Sequence, residues 1–298
     1  MPPAAIPETP RRLYVIYNPV AGWCRRRYYA RVLAALSRLG CQVRVRETAA
    51  RGDAEAFARA ADPRTCDLVV AAGGDGTINE VINGLRESAI PLALLPLGTA
   101  NVLAAEIGLA GGARALAETI ARGATRPVFL GSANGRRFAL MIGVGFDARV
   151  VEGLDLRLKR ALGKLAYGLA ALGRLCRYRA ERYQVEIDGV PFTAAALVIA
   201  KGHYYGGRFV VAAHARLDEP RLHVALFERA GRWNLVRYAW ALLAGRMDHL
   251  KDVRIVEGCS VAVRGRAGEA VQADGDLVAC LPLAVTLAEE PLALVTAG

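Results

Sequence analysis

The sequence predicts two domains of different class, an α/β domain built on a parallel sheet followed by a largely antiparallel β domain. Up to about residue 127, strand-like and helix-like segments alternate, which is the pattern of a parallel sheet with both faces covered. Beyond that point short strands follow one another with turn residues between them, as in antiparallel domains. A third observation fixes the first class: "CDLVVAAGG" is apolar throughout, as expected of a strand buried on both faces.

Taken in order, "RRLYVIYNP" reads as a strand ending at Asn-Pro, and "RRRYYARVLAALSRLG" as a helix stopped by Gly40. "CQVRVRET" is the second strand and "GDAEAFARAAD" the second helix. "CDLVVAAGG" leads into the helix "TINEVINGLRES", and "IPLALLPLG" into the helix "TANVLAAEIG". In such sheets ligands bind outside the carboxyl ends of strands, where the turns "NPVAG", "GGDGT" and "LGTAN" all fall. The later strands are interrupted by two helical insertions, around residues 154–178 and 232–246. With no linker-like or low-complexity tract, the two domains are expected to share an interface.

Composition narrows the class of protein. With 298 residues, 54% hydrophobic and 22% charged, the chain can build substantial cores. Apolar runs such as "AAALVIA" and "LVACLPLAV" fall short of the roughly 20 residues that cross a bilayer. The start, "MPPAAIPETPRRLYVIYNP", lacks the charge-then-apolar pattern of a secretory leader. Six scattered cysteines without C-x-x-C spacing read as reduced thiols, so a cytoplasmic location is expected. The net charge of +11 favours anionic partners such as nucleotides or anionic lipid surfaces. Nucleic acid is not expected, because the aromatics are not interleaved with the basic residues in a recognisable module.

"AAGGDGTINEVINGL" poses the central question. A glycine loop feeding a helix suits phosphate, because backbone N–H groups and the helix N-terminus attract anions, yet Asp75 puts a negative charge inside it. It is neither a G-x-G-x-x-G fingerprint, since Asn79 stands where the third glycine is required, nor a Walker loop, since no Gly-Lys-Ser/Thr follows. Thr77 is placed to cap the helix and to offer a hydroxyl, and Asn79 and Asn83 share a helix face. A second glycine–threonine turn, Gly98-Thr99, ends the next strand. A carboxylate beside a triphosphate is repulsive unless a divalent cation or a hydroxyl proton lies between, so an acid there suggests reaction rather than anion storage, with a tight turn alone as the plain alternative.

Together "NPVAG", "GGDGTINEVINGL", "PLGTAN" and "GVGFDA" resemble the diacylglycerol kinase catalytic-domain family, which includes bacterial lipid kinases and the sphingosine and ceramide kinases. The resemblance runs in order over almost the whole chain. It implies an N-terminal nucleotide-binding domain, residues 1–127, with a parallel sheet like those of NAD kinases and phosphofructokinases. A β-sandwich domain that binds lipid and metal, residues 128–288, would follow, with catalysis in the cleft between them and a tail, 289–298, able to return to the first domain.

Carried over by position, the resemblance places Asn18, Pro19, Val20, Ala21, Gly22 and Thr48 along the nucleotide. It places Gly73, Gly74, Asp75, Gly76, Thr77, Ile78 and Asn79 at the phosphates, with Thr99 beside them. Asp276 in "QADGDLV" would be the general base, with Asp75 as a second catalytic acid. Within "ARLDEPRLHV", Glu219 and the carbonyls of Arg216 and Arg221 would hold Mg²⁺, with Asp218 the rival ligand. Three positions depart from the family pattern: Val102 stands where an acid follows "GTAN", Asp276 where glutamate is commoner, and Glu219-Pro220 where Asp-Gly is usual.

The implied activity is ATP- and Mg²⁺-dependent phosphorylation of a lipid hydroxyl by a peripheral membrane enzyme, with a homodimer left open. Two alternatives remain at this point: a soluble kinase of the NAD-kinase kind, and a silent nucleotide-binding regulator at the membrane. His203, His214, His223 and His249 lack metal-ligand spacing and read as surface or core residues. Asp147 reads as a turn or cap residue or as a site residue, and Asp274 as a turn residue before Gly275 or as a site residue. Residues 157–179 carry an apolar stripe with a basic edge at Arg157, Arg160 and Lys164. That segment either packs on its own domain or meets an anionic membrane.

Overall fold

A computed structural model describes residues 11–21, 25–109, 111–145, 181–207 and 209–297. Gly22, Asp147 and the helical segment expected around 154–178 lie outside these residues.

The chain forms two compact units, residues 1–128 with 290–298, and residues 129–289. In the first, β1 (Arg12–Tyr17), α1 (Arg26–Arg38), β2 (Gln42–Glu47), α2 (Asp53–Arg59), β3 (Leu68–Gly73), α3 (Asp75–Gly84) and β4 (Leu92–Pro96) alternate as the periodicity dictates. Two short helices, α4 (Val102–Glu106) and α5 (Ala113–Arg122), lead to β5 (Thr125–Val128). The sheet also takes in β20 (Leu292–Val295), giving the order β2-β1-β3-β4-β20-β5. The strands β2, β1, β3, β4 and β20 run parallel, and β5 is antiparallel to β20.

Alternation along the strands assigns the layers. Leu13, Val15, Val70, Ala72, Ala93 and Leu95 point to the face covered by α1 and α5, which contribute Val32, Leu36, Leu116 and Ile120. The intervening Ile16, Val69, Ala71, Leu92 and Leu94 are equally buried, on the face of α2 and α3. Each such Val, Leu or Ile stabilises the fold by roughly 1.5–3 kcal/mol. Those two helices cross closely because residue 84 is glycine: a Cβ there would lie 2.3 Å from the Glu55 carbonyl oxygen. The edge strand β2 is mostly exposed and protected by charge, with Arg44 over Tyr14 and Arg46 over Phe57.

The second unit is a sandwich of two antiparallel sheets. One has the order β10-β9-β16-β19-β6-β7, from Val190–Ala194, Tyr183–Ile187, Ser260–Arg264, Leu283–Leu287, Gly131–Ala133 and Arg136–Phe138. The other has the order β15-β14-β11-β8-β17-β18, from Val253–Gly258, Leu222–Phe227, Ala196–Ala200, Met141–Val144, Ala270–Ala273 and Asp276–Cys280. A two-stranded ribbon, β12 (Tyr204–Tyr205) with β13 (Phe209–Val210), stands apart. Tyr183, Val185, Val263 and Val285 from the first sheet meet Ile142, Ile199, Val224 and Val271 from the second in one core. The later helical insertion is α6 (Arg232–Leu243), followed by a 3₁₀ turn at Met247–His249.

Candidate functional site

Parallel strands put their carboxyl ends on one edge of the sheet. Following the strand order, that edge presents Thr48 after β2, Asn18 after β1, Gly74 after β3 and Gly98 after β4. The ladder runs into the turns: Thr48 N donates to Tyr17 O at 2.9 Å, Asn18 N to Ala72 O at 2.9 Å, and Leu97 N to Gly73 O at 2.8 Å. The order 2-1-3-4 reverses direction between β1 and β3. Such a switch point opens a crevice, because the connections leave the two strands toward opposite sides.

Asn18 and Thr77 line that crevice from either side. The Asn18 amide donates to Thr77 Oγ1 at 2.9 Å, and its Oδ1 accepts from the nitrogens of Val20 and Ala21 at 3.0 and 3.2 Å. The expected cap is corrected here. Helix α3 begins two residues before Thr77, with Gly74 as N-cap, and no side chain caps it. The opening N–H groups of α3 are therefore presented by glycine backbone, and Gly76 is exposed there. Thr77 and Asn79 are buried, Asn79 accepting from Asn83 Nδ2, and the Ile78 side chain is in the core. Residue 73 must be glycine, since a Cβ would sit 2.6 Å from Thr77 Cβ. Glycine at 98 lets the two turns meet backbone to backbone, since a Cβ there would lie 2.7 Å from Gly74 Cα.

Asp75 answers the question its charge raised in an unforeseen way. Its carboxylate accepts the backbone nitrogens of Asn101 at 2.9 Å and Val102 at 2.7 Å, capping α4 from a neighbouring helix. Burial pushes the Asp75 carboxyl up, and the N–H groups of Val102, Asn101 and Leu103 pull it back. Asn101 adopts left-handed φ (48°), donates to Gly98 O at 2.7 Å, and keeps its Oδ1 buried with no hydrogen-bond partner. Thr99, next to it, is exposed, and Thr48, Pro19 and Ala21 are half-buried, whereas Val20 is exposed. A depression of about 360 Å³ beside Arg12, Arg44 and Phe57 shares no residue with these turns.

In the second unit Asp274 and Asp276 divide their tasks. Asp274 (φ 50°) and Gly275 (φ 87°) form the β17–β18 turn, positive φ at both positions being the requirement of a type I′ hairpin. The Asp274 carboxylate accepts from the nitrogens of Ala139, Leu140 and Met141 at 2.8, 2.9 and 3.0 Å. It is a structural clasp. Asp276 opens β18 with its side chain half-buried.

The turn expected to hold Mg²⁺ is arranged differently from that expectation. The guanidinium of Arg216 grips Asp218 through two 3.0 Å hydrogen bonds and lies 3.5 Å from Glu219. That grip holds the Asp218 carboxyl below the usual carboxylate range. The Arg216 carbonyl accepts the ammonium of Lys201, a side chain fully removed from solvent. One nominated carbonyl and both nominated carboxylates thus face cations of the chain in this arrangement. Among the described residues, no cluster of three or more His, Cys, Asp or Glu side chains is placed to hold a metal.

Comparisons with known proteins find relatives over both units. The family description "Diacylglycerol kinase catalytic domain" matches residues 12–133, and "YegS C-terminal NAD kinase beta sandwich-like domain" matches residues 140–296. A protein of Bacillus subtilis (strain 168) named diacylglycerol kinase is 30% identical over 91% of this chain and 92% of its own length. The chain belongs to the diacylglycerol kinase family. Another relative so named, from Staphylococcus haemolyticus (strain JCSC1435), is 30% identical over 81% of this chain and 74% of its own. A crystal structure of a diacylglycerol kinase from Bacillus anthracis str. Sterne shares the fold, with TM-score 0.78, 23% identity, and 97% and 98% of the two chains covered.

Within this diacylglycerol kinase fold, two residues join the site that sequence reasoning passed over. Arg25 donates to Pro96 O at 3.3 Å, bringing a cation to the carboxyl end of β4. The run Arg25-Arg26-Arg27 after "NPVAG" was the available signal. Asn101 is the other, signalled only by a left-handed turn that asparagine tolerates. Val102, where the diacylglycerol kinase family usually has an acid, is buried and serves through its backbone.

Proposed function

We propose that this chain transfers the γ-phosphoryl group of ATP to the hydroxyl of diacylglycerol or a closely related membrane lipid alcohol. The observation that carries the reading is the carboxyl edge of the first sheet. There the Asn18–Thr77 bond and the Gly74–Gly98 approach form a pair of glycine turns suited to an anion, in a chain whose relatives are named diacylglycerol kinases.

In this reading the backbone N–H groups at the start of α3 and the Arg25 guanidinium bind the phosphates. Asp75 keeps the opposing turn in register by holding the start of α4. The lipid oxygen attacks the γ-phosphorus as the bond to the β,γ-bridging oxygen breaks, and ADP leaves. Asp276 takes the hydroxyl proton, since a lipid alcohol is a weak nucleophile at neutral pH. Mg²⁺ carried with the triphosphate would supply charge neutralisation, and Asp75 and the orphaned Asn101 Oδ1 are hard oxygen donors suited to it.

Purified protein with γ-labelled ATP and a panel of diacylglycerol, monoacylglycerol, ceramide, sphingoid base and NAD tests this. Labelled phosphatidic acid is the expected product. Phosphorylation of NAD alone would return the soluble-kinase reading, and ATP that is bound but never turned over would return the silent regulator.

A further inference from the structure

Four of the nine exposed large apolar side chains among the described residues sit on one helix. Trp233, Val236, Trp240 and Leu243 of α6 are 86%, 44%, 72% and 62% exposed. Their spacing of three, four and three residues puts them on a single face. A helix packed on a soluble domain should turn polar residues outward, and α6 turns tryptophan, valine and leucine outward instead. The one exposed residue between them is Ala239, exposed Arg232 precedes them, and the helix contains no acid.

The opposite face fixes α6 to the sandwich. Tyr238 is buried, with its ring edge-on to Phe227 at 4.9 Å between centroids, and its hydroxyl donates to Asp252 at 2.7 Å. Arg237 pairs with the same carboxylate. The outward face is therefore presented on a held platform.

We propose that this face of α6 is the surface on which the protein docks to an anionic lipid bilayer. Indole rings settle at the boundary between headgroups and acyl chains, because one molecule offers an apolar body and an N–H donor. The exposed charges before the stripe are Glu228, Arg229 and Arg232, and those after it Arg246, Asp248 and Lys251, a basic excess on either side that matches anionic headgroups. The same charges argue against a second copy of this chain as the occupant. A twofold contact would bring these basic flanks onto one another. The inference rests on the lipid-kinase reading, because a lipid alcohol is reached where it resides, in the membrane.

The test is sedimentation with phosphatidylglycerol-containing vesicles, alongside turnover of a short-chain diacylglycerol dispersed as monomers. Trp233→Ser with Trp240→Ser should weaken vesicle binding roughly tenfold or more and leave short-chain turnover at the wild-type rate. Trp233→Phe with Trp240→Phe should restore most of the binding. Arg232→Gln should weaken binding to anionic vesicles about fivefold, and raised salt should mimic it. Vesicle binding by the double serine variant equal to wild type would overturn the proposal. So would a concentration-dependent dimer that the serine variant abolishes while vesicle binding persists. Failure of the wild-type protein to phosphorylate the short-chain lipid would count against the kinase reading alone, and the vesicle arm would still decide the docking face.

Discussion

Asp75 Oδ1 lies 2.7 Å from the backbone nitrogen of Val102, so the first residue of one helix caps the next. The carboxylate that looked misplaced among glycines is the fastener between two turns.

That position makes Asp75→Asn a double lesion. An amide can accept one backbone N–H, and its own NH₂ would then face the other. Hydrogen bonds to a charged group contribute roughly 1.5–3 kcal/mol each, so a loss of that order is expected in urea unfolding. Turnover should fall with it, because the Gly98 turn loses its register. An unchanged unfolding midpoint would show that the cap contributes nothing.

Gly98→Ala tests the contact between the turns from the other side. Its methyl would meet Gly74 Cα at 2.7 Å, and backbone cannot swing away as a side chain can. Overpacking of this kind costs about 1–3 kcal/mol, and nucleotide affinity should fall by tenfold or more if the strain is relieved by separating the turns. Gly112→Ser, at a helix N-cap with open space, is the matched control and should bind nucleotide normally. Equal affinity in both variants would refute the close-contact argument.

Much of this was legible in the residues, and what was not has a common cause. Alternating strands and helices betray themselves through local periodicity, and "NPVAG", "GGDGT" and "LGTAN" fell at strand ends where ligands gather. The start of α3 was misjudged because a cap was sought on the same helix, while Asp75 serves α4. At the turn 216–221 the acids are local and legible, whereas Lys201, which bonds the Arg216 carbonyl, comes from beyond the end of another strand. On α6 the helix was readable, but only the burial of Tyr238 shows which side faces out.

Asp276 and Asp274 should separate cleanly. Asp276→Ala should lower kcat by about 10²–10⁴ while ATP still binds and the melting temperature holds. Asp274→Ala strips three N–H groups of their acceptor and should lower the melting temperature by several degrees. Asp276→Glu should recover part of the rate. Wild-type kcat in Asp276→Ala would move the base elsewhere, with Asp75 next to be tried.

Lys201 offers a reading on metal. With the Arg216 carbonyl already bound to its ammonium, the nucleotide-free protein should melt at the same temperature in Mg²⁺ and in excess chelator. Lys201→Met should leave that carbonyl unsatisfied inside the fold and destabilise it by about 1–3 kcal/mol. A marked drop in the wild-type melting temperature on chelation would restore the turn as a metal site.

His223 predicts the pH dependence. Burial holds its imidazole below the ordinary 6.5, with Lys201 and His214 pushing the same way and Glu257 and Glu219 opposing. The unfolded chain therefore takes up the proton first on acidification. Stability is intact above 6.5 and drains away as pH falls toward the depressed folded value. His223→Leu should flatten that part of the curve, and an unaltered slope would assign it to other groups.

The strand β20 has a consequence for how the protein is made. It lies between β4 and β5, with Leu294 opposite both Leu92 and Arg126, yet it is translated after every strand of the sandwich. As the first unit leaves the ribosome, its sheet therefore has a gap, flanked by the unpaired backbone edge of the apolar strand β4. The unit that emerges first is completed last. Pairings this distant in sequence are slow to form, so a nascent chain holds an unfinished sheet for the time needed to synthesise about 160 more residues. A messenger cut short before codon 292 would yield an intact sandwich attached to a sheet with unpaired apolar strands, a natural substrate for chaperones and proteases.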